Sequence, residues 1–167
     1  MKNYQEWYDK RKSSLLQHPQ LLQLMRVFNR MMTILMPLAY LTLLSTSFIS
    51  KGLGQDLYAY ILVPALGFIL LTLVRKRINH PRPYETWGIV PLLDKDSSGN
   101  SMPSRHVFSA TIISMACLHA SLPVGLILLV LSALLGLVRV LGGVHYPKDV
   151  LVGYACGLIW GVLFFIL

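Results

Sequence analysis

The chain has 167 residues, of which 54% are hydrophobic and only 13% are charged, and its formal net charge is +8. Soluble domains are roughly 45–50% apolar and about 25% charged, so this composition excludes an ordinary water-soluble domain and indicates a membrane protein. The basic residues lie between long apolar runs, which argues against a nucleic-acid-binding protein and for contact with anionic lipid head groups. Cys117 and Cys156 lie within apolar runs and are interpreted as packing residues.

Basic side chains, Trp7 and Tyr8, and leucines at roughly helical spacing occur together in residues 1–30. This mixture predicts an amphipathic leader that lies on the membrane surface, with its aromatic rings at head-group level. Pro19 is expected to separate two short helices within the leader. A solvated, partly disordered segment is the alternative interpretation.

Five apolar runs follow the leader, and each is near the about 20 residues that a helix needs to cross a bilayer. The pattern therefore predicts an all-α fold, a multi-pass transmembrane helical bundle, over residues 31–167. The expected spans are residues 31–49, 57–74, 104–122, 124–141 and 149–167. The stretch between the second and third spans is rich in Pro, Gly, Ser and Asn, which is typical of a connecting loop.

Successive spans alternate in direction, so the N-terminus, the loop after the second span and the turn after the fourth fall on one face of the membrane. This basic face carries 14 of the 15 Lys and Arg residues, and Lys51 alone lies on the other face. The positive-inside tendency predicts a cell-membrane protein with its basic face in the cytoplasm.

Three polar clusters end predicted helices on the basic face. They are the run from Arg75 to Pro83, the tetrapeptide Pro103-Ser104-Arg105-His106, and the set Arg139, His145 and Asp149. Each alone has an ordinary explanation, as a positive-inside anchor, a helix cap or a structural contact. Together they supply arginines that bind phosphate oxygens, two imidazoles for attack and proton transfer, and a carboxylate that can hold one imidazole. The combination predicts phosphoryl transfer at this face.

The clusters resemble the three motifs of the type-2 phosphatidic acid phosphatase family, membrane lipid phosphatases that share their site with vanadium haloperoxidases. The family pattern is Lys-x6-Arg-Pro, then Pro-Ser-Gly-His, then Ser-Arg-x5-His-x3-Asp. The matching positions are Arg75, Arg82, Pro83, Pro103, Ser104, Arg105, His106, Arg139, His145 and Asp149. Three positions depart from the pattern: Arg75 replaces Lys, Arg105 replaces Gly and Val138 replaces Ser. Lys76 is the alternative for the first motif position. Family members commonly have six spans, and the amphipathic leader is expected to replace the first. Many bacterial members with six spans present the site outside the cytoplasm, so the resemblance keeps an outward-facing site open as the alternative.

The resemblance implies a metal-independent hydrolase, without a cofactor, that acts on lipid phosphates through a phosphohistidine. His145 is the implied nucleophile, Asp149 orients it, and His106 protonates the departing lipid oxygen. The implied phosphate-binding residues are Arg75, Arg82, Ser104, Arg105 and Arg139. The acidic residues of the long loop are expected to be solvated and not to bind metal; they are Glu85, Asp94 and Asp96.

The expected partners are the bilayer and a lipid phosphate, with no nucleic acid, and the oligomeric state stays open. The motifs do not distinguish phosphatidic acid, phosphatidylglycerol phosphate and polyprenyl diphosphates as substrates. A lipid phosphotransferase on the same site and a catalytically inactive lipid-phosphate-binding protein are the alternatives to a hydrolase. Tyr84, Trp87 and Tyr146 are interpreted as membrane-interface aromatics in preference to residues that stack on substrate.

Overall fold

The computed structural model describes residues 4–95 and 98–167, and every regular element in this part of the chain is a helix. The α-helices are α1 (Tyr4–Leu16), α2 (Pro19–Lys51), α3 (Gln55–Ile78), α4 (Pro83–Thr86), α5 (Arg105–Ala120), α6 (Leu122–Leu141) and α7 (Pro147–Gly161). A 3₁₀ turn, Val162–Phe165, continues α7. The prediction of an all-α multi-pass bundle is confirmed.

Four described segments are long and apolar enough to cross a membrane: Pro19–Lys51, Gln55–Thr86, Leu122–Leu141 and Pro147–Phe165. The predicted third span corresponds to α5, which has only 16 residues. At 1.5 Å per residue α5 is about 24 Å long, less than the ~30 Å of a hydrocarbon core. It begins at Arg105, one residue after the predicted start of the span at residue 104.

The short helix α5 is the centre of the bundle and packs against α2, α3, α6 and α7. Buried residues such as Phe108, Ile112 and Met115 face its neighbours. Its buried Ser114 hydroxyl lies 3.0 Å from the hydroxyl of Ser132 on α6, so these polar groups satisfy each other within the apolar core. Because other helices surround α5, its N-terminal end is held at a defined place between them.

Close contact between α5 and α7 depends on three glycines on one face of α7, called here the glycine stripe: Gly153, Gly157 and Gly161. A Cβ atom at Gly153 would lie 2.7 Å from the carbonyl oxygen of Ser104, and one at Gly157 would lie 2.6 Å from the Cβ of Thr111. Small residues at four-residue spacing let transmembrane helices approach this closely. The stripe brings the first turn of α7 against the start of α5.

Residue 30, the predicted end of the leader, lies inside a helix and not at a break between helices. Helix α2 begins at Pro19 and continues without a break to Lys51, so its first part belongs to the same helix as the predicted first span. Its 33 residues measure about 50 Å, which exceeds the ~30 Å hydrocarbon thickness by several turns. The expectation of a second short helix after Pro19 is wrong, because the helical pattern continues into the apolar run.

Helix α1 was expected to hold its aromatic rings at the level of the lipid head groups, but two of its tyrosines are buried inside the protein. Tyr4 is 1% exposed and Tyr8 is 0% exposed, and both pack into the protein. The Tyr8 hydroxyl donates a hydrogen bond of 3.3 Å to the carbonyl of Val90, and its ring lies where a Cβ at Gly143 would be. Helix α1 therefore covers the loop between α6 and α7.

Candidate active site

The loop between α6 and α7 and the first turn of α7 place His145 beside Asp149. The His145 Nδ1 atom is 3.6 Å from the Asp149 Oδ2 atom, and both side chains are buried. The hydroxyl of Ser101 lies between them, donating a 2.5 Å hydrogen bond to Asp149 Oδ2 and lying 3.3 Å from His145 Nδ1. Because the Ser101 hydroxyl donates its hydrogen to the carboxylate, its oxygen can accept a hydrogen bond from the Nδ1–H group of the imidazole. This arrangement leaves the other ring nitrogen, Nε2, for chemistry.

The Asp149 carboxylate is held by its own helix as well as by Ser101. The backbone N–H of Tyr146 donates to Asp149 Oδ2 at 3.1 Å, as a cap at the start of α7. The Asp149 carbonyl accepts a 2.8 Å hydrogen bond from the backbone N–H of Ser104. This hydrogen bond directly connects the second and third sequence motifs. It is possible because the glycine stripe lets α7 approach the start of α5 closely.

Burial lowers the pKa of His145 from 6.5 to about 4. The contact with Asp149 raises this pKa, whereas the positive charges of Arg139 and Arg82 lower it further. At neutral pH the imidazole is therefore neutral, which is the protonation state that a nucleophilic nitrogen requires.

Two predicted phosphate-binding arginines, Arg75 and Arg82, are buried beside this histidine. Arg82 is 3% exposed, and its guanidinium donates to the carbonyl oxygens of Val144 at 3.3 Å and Gly99 at 3.2 Å. Arg75 is 6% exposed and donates to the carbonyl of Pro103. These backbone contacts fix the planes of both guanidinium groups, which favours directed binding of an oxyanion.

The third arginine, Arg139, is 2% exposed at the end of α6 and donates to the Asn29 side-chain oxygen on α2 at 3.3 Å. Asn29 was not predicted as a site residue. An amide between Phe28 and Arg30, just before the first apolar run, is the only sequence signal that marked it. The continuous helix α2 thus reaches the site, which the predicted division at residue 30 did not foresee.

Ser104 occupies the N-cap position of α5, as its place before Arg105 suggested, but its hydroxyl makes no capping hydrogen bond. The side chain is 0% exposed, and its Oγ atom has no hydrogen-bond partner. A buried hydroxyl without a partner is costly, and an anion bound at the start of α5 would satisfy it.

His106 and His145 border one polar cavity of about 280 Å³. The described residues that border this cavity are Thr72, Arg75, Lys76, Arg82, Asn100, Arg105, His106 and His145. Both candidates for the first motif position therefore border it, Arg75 with a buried side chain and Lys76 with an exposed one. None of these lining residues is acidic, so the cavity suits a phosphate group.

The acidic residues of the long loop are exposed where they are described. Glu85 differs from a solvated carboxylate, because it accepts hydrogen bonds from the backbone N–H groups of Arg82 at 2.7 Å and Gly99 at 2.9 Å. It thereby holds the backbone on either side of the Arg82 guanidinium. Asp94 is exposed, and Asp96 lies outside the described residues. In the described part of the chain, no group of three or more His, Cys, Asp or Glu residues is arranged to hold a metal ion.

The aromatic residues near the site form one cluster with α1. Tyr4 lies 5.0 Å from the ring of Tyr146 and 6.2 Å from that of Trp87, measured between centroids. The Trp87 indole N–H donates to the Tyr146 hydroxyl at 3.2 Å. None of these described rings borders the polar cavity, which argues against stacking on the phosphate end of a substrate, and the membrane-interface interpretation stays a prediction.

The PAP2 superfamily is the family that matches this chain, over residues 56–167, a range that includes all three motifs. The chain belongs to the PAP2 superfamily. Undecaprenyl-diphosphatase BcrC of Bacillus subtilis (strain 168) is 32% identical over 99 residues, which are 59% of this chain and 51% of that protein. The chain thus matches about half the length of this curated relative.

Two solved structures have the same helical arrangement as this PAP2 protein. The crystal structure of Aquifex aeolicus LpxE aligns with a TM-score of 0.72 and 27% identity, covering 90% of this chain and 88% of that one. The PAP2-type phosphatidylglycerolphosphate phosphatase from Bacillus subtilis aligns with a TM-score of 0.74 and 24% identity, covering 98% and 85%. The latter likeness is evidence for the fold alone.

Proposed function

We propose that this PAP2 protein is an integral membrane lipid phosphatase that hydrolyses a lipid phosphomonoester or diphosphate through a phosphohistidine intermediate. The observation that carries the proposal is the polar cavity, because His145 and His106 border it together with buried arginines. His145 is oriented from behind by Ser101 and Asp149. His106 borders the same cavity, which supports proposing it as the proton donor to the leaving group.

In the first step His145 Nε2 attacks phosphorus while Asp149, acting with Ser101, stabilises the proton on Nδ1. His106 gives a proton to the departing lipid oxygen, and in the second step it activates the water that releases phosphate. The proposed phosphate-binding groups are the side chains of Arg75, Arg82, Ser104 and Arg139, with the backbone N–H of Arg105. Binding that strengthens as charge develops on the transferring group lowers the activation barrier.

Arg75 is the proposed occupant of the first motif position, in preference to Lys76. Its buried guanidinium is fixed by the carbonyl of Pro103, directly before Ser104. Arginines supply the charge neutralisation that metal ions supply in other phosphoryl-transfer enzymes, which is the basis for proposing a metal-independent reaction.

The proposed substrates are lipids of the membrane in which the protein lies, with the bilayer and the lipid as its partners. The name of one relative, an undecaprenyl-diphosphatase, favours polyprenyl diphosphates for testing first, followed by phosphatidylglycerol phosphate and phosphatidic acid. The proposed location is the cell membrane, with the site on the cytoplasmic side.

The proposal is tested with purified protein in detergent by measuring phosphate released from each of these lipids. His145→Ala is expected to abolish turnover and the acid-labile phosphoenzyme. His106→Ala is expected to lower turnover of a lipid monophosphate by at least about 10²–10⁴-fold. The loss should be smaller with p-nitrophenyl phosphate, because its leaving group needs no proton. Near-normal activity in either variant would exclude these roles.

Two additions to the same assay test the reaction class. Activity should survive EDTA, and vanadate should compete with substrate because it can become five-coordinate like the transferring phosphoryl group. A strict requirement for a divalent ion, or insensitivity to millimolar vanadate, would contradict the mechanism. Phosphate appearing only when an acceptor lipid is present, and then on that lipid, would identify a phosphotransferase. No turnover of any lipid would favour an inactive binding protein.

A further inference from the structure

Arg105 occupies a position where the family pattern has glycine, and its side chain is exposed at the first turn of α5. A backbone N–H at this position can bind phosphate whichever residue is present, so that role does not explain an arginine side chain. The guanidinium lies over the ring of Phe68 on α3, with its central carbon 5.5 Å from the ring centroid. This cation–π contact directs the side chain across the gap between α5 and α3.

The Arg105 side chain lies at the junction of two adjoining spaces. One is the polar cavity, and the other is an apolar groove of about 250 Å³ between α2, α3 and α5. Among the described residues, only Arg105 and His106 border both. The groove is otherwise lined mainly by apolar residues, among them Met32, Met36, Phe68 and Ile113. A substrate whose phosphate lies at His145 and whose lipid chain lies in this groove would pass beside Arg105 and His106.

The same order is visible along one face of α3. Phe68 borders the apolar groove, Thr72 follows one turn later, and Arg75 borders the polar cavity after a further turn. Since residues three and four apart share one face of a helix, this face changes from apolar to basic toward His145. Arg105 reaches the point at which the change occurs.

The basic residues that border the polar cavity form two groups by exposure. Arg75 and Arg82 are 6% and 3% exposed and lie beside His145. Lys76 and Arg105 are exposed at its outer part. A single phosphate bound at His145 is already opposite the buried arginines, so the exposed cation at the groove is placed for additional negative charge between the reacting phosphate and the lipid chain.

We propose that the Arg105 side chain binds the phosphate group adjacent to the lipid chain of a lipid diphosphate, and that it makes the enzyme prefer lipid diphosphates to lipid monophosphates. This inference rests on the proposed phosphatase function and specifies its substrate class. It assigns a role to the one motif position where the chain has gained a charge.

The reaction of a diphosphate explains why a cation is useful at this place. His145 Nε2 forms a bond to the terminal phosphorus, and the bond from that phosphorus to the bridging oxygen breaks. The electron pair goes to the bridging oxygen, so the leaving group is a lipid monophosphate. This phosphate carries more negative charge after it leaves than the same phosphate carried within the diphosphate. Water then cleaves the phosphohistidine and releases inorganic phosphate. Arg105 stabilises the leaving phosphate as its charge develops. From a monophosphate the leaving group is an alcohol, once His106 has supplied the proton, and no such charge remains.

The test compares farnesyl diphosphate with farnesyl monophosphate on purified protein in detergent, with kcat/KM measured for both. The quantity of interest is the ratio of the two values, because partial misfolding of a variant would lower both and leave the ratio unchanged. We expect the native enzyme to favour the diphosphate and Arg105→Gln to lower the ratio at least about tenfold, as expected for loss of a charge-assisted contact. Arg105→Lys should retain part of the preference, because it keeps the charge without the guanidinium.

Arg77→Gln is the matched control, since Arg77 is an exposed arginine on α3 that does not border either space. It should leave the ratio and both activities near their native values. A native preference for the monophosphate, or an unchanged ratio in Arg105→Gln, would overturn the inference while leaving the phosphatase function intact. Hydrolysis of neither substrate nor any other lipid phosphate would instead remove the function on which the inference rests.

Discussion

The Ser101 hydroxyl lies between the two ionisable side chains of the third motif and contacts both. With 3.6 Å between His145 Nδ1 and Asp149 Oδ2, the direct contact is longer than an ordinary hydrogen bond. The serine therefore supplies the short connection that keeps the Nδ1 proton on the side away from the cavity. A histidine held in this tautomer has an unprotonated Nε2, as the proposed attack on phosphorus requires.

Ser101→Ala is accordingly expected to lower kcat by about 10–100-fold, the effect of removing a hydrogen bond to a charged group. KM should change little, because Ser101 does not border the cavity. Rapid-quench measurement of phosphoenzyme formation provides the check. Ser114→Ala is the control, since it removes another buried hydroxyl, on α5 against Ser132. Equal losses in the two variants would contradict a positioning role for Ser101.

The lowered pKa of His145 also makes stability depend on pH. Between 6.5 and about 4 the unfolded chain binds a proton on this imidazole and the folded protein does not. The contribution is therefore complete above pH 6.5 and is lost as the pH falls toward 4. Over that interval the loss corresponds to about 3 kcal/mol. We expect the Tm of the native protein to fall more steeply across this range than that of His145→Gln. Parallel Tm curves would show that His145 does not titrate as its burial implies.

Helices α5 and α7 form the element pair on which the site depends, because each contributes a motif at the same end of their contact. Only glycine permits this approach, because a Cβ atom at Gly157 would lie 2.6 Å from the Cβ of Thr111 and one at Gly161 would lie 2.5 Å from the Cβ of Met115. Within a membrane there is little hydrophobic force between helices, so such close backbone contact carries much of the association. A wider spacing would separate Ser104 from the Asp149 carbonyl and open the site.

Gly157→Leu should therefore destabilise the protein by about 1–3 kcal/mol or more and abolish activity, because the new side chain meets Thr111. Gly157→Ala should have a smaller effect in the same direction. Ala155→Leu, at an exposed position of the same helix, is the matched control and should leave both properties unchanged. Thermal unfolding in detergent and phosphate release are the two measurements. A stable, active Gly157→Leu protein would show that the close packing is not required.

The distribution of charge over the whole molecule favours a cytoplasmic site. The sequence assigns 14 of the 15 Lys and Arg residues to the basic face, and four of these are the motif arginines, which the proposed chemistry requires in either orientation. Without Arg75, Arg82, Arg105 and Arg139 the difference is still ten against one. Six of the ten lie in the first thirty residues, where the mechanism requires no basic side chain.

Cysteine labelling in intact cells tests this orientation. On a background of Cys117→Ala and Cys156→Ala, Asp94→Cys places a thiol in the exposed loop of the basic face. Leu53→Cys places one on the opposite face, at a residue that is 71% exposed. A membrane-impermeant thiol reagent should label the cysteine at 53 and not the one at 94. The reverse pattern would place the site outside the cytoplasm and show that the charge bias does not determine topology here.

Much of the architecture could be predicted because apolar runs and motif spacing are local properties. The four-residue spacing of His145 and Asp149 follows from one loop and one helical turn, and Arg82, His106 and Arg139 each end or begin a helix on the same side. The predicted boundary at residue 30 lies inside helix α2, because a charged segment and an apolar segment can belong to one continuous helix. The distribution of charged residues indicates where the membrane surface lies. The continuity of a helix depends on its backbone hydrogen bonds, which form on both sides of that surface.

The sequence by itself determined the family, the helical membrane class and the residues of the three motifs. Only the tertiary structure showed that Ser101 lies beside His145, that Asn29 contacts Arg139, and that α1 covers the loop after α6. These contacts join residues between 44 and 134 positions apart in the chain, including Tyr8 and Gly142. Such pairings depend on how closely the helices pack and on their rotation about their axes. The glycine stripe and the buried side chains together determine the spacing and the rotation of the helices. No local sequence pattern predicts these two quantities.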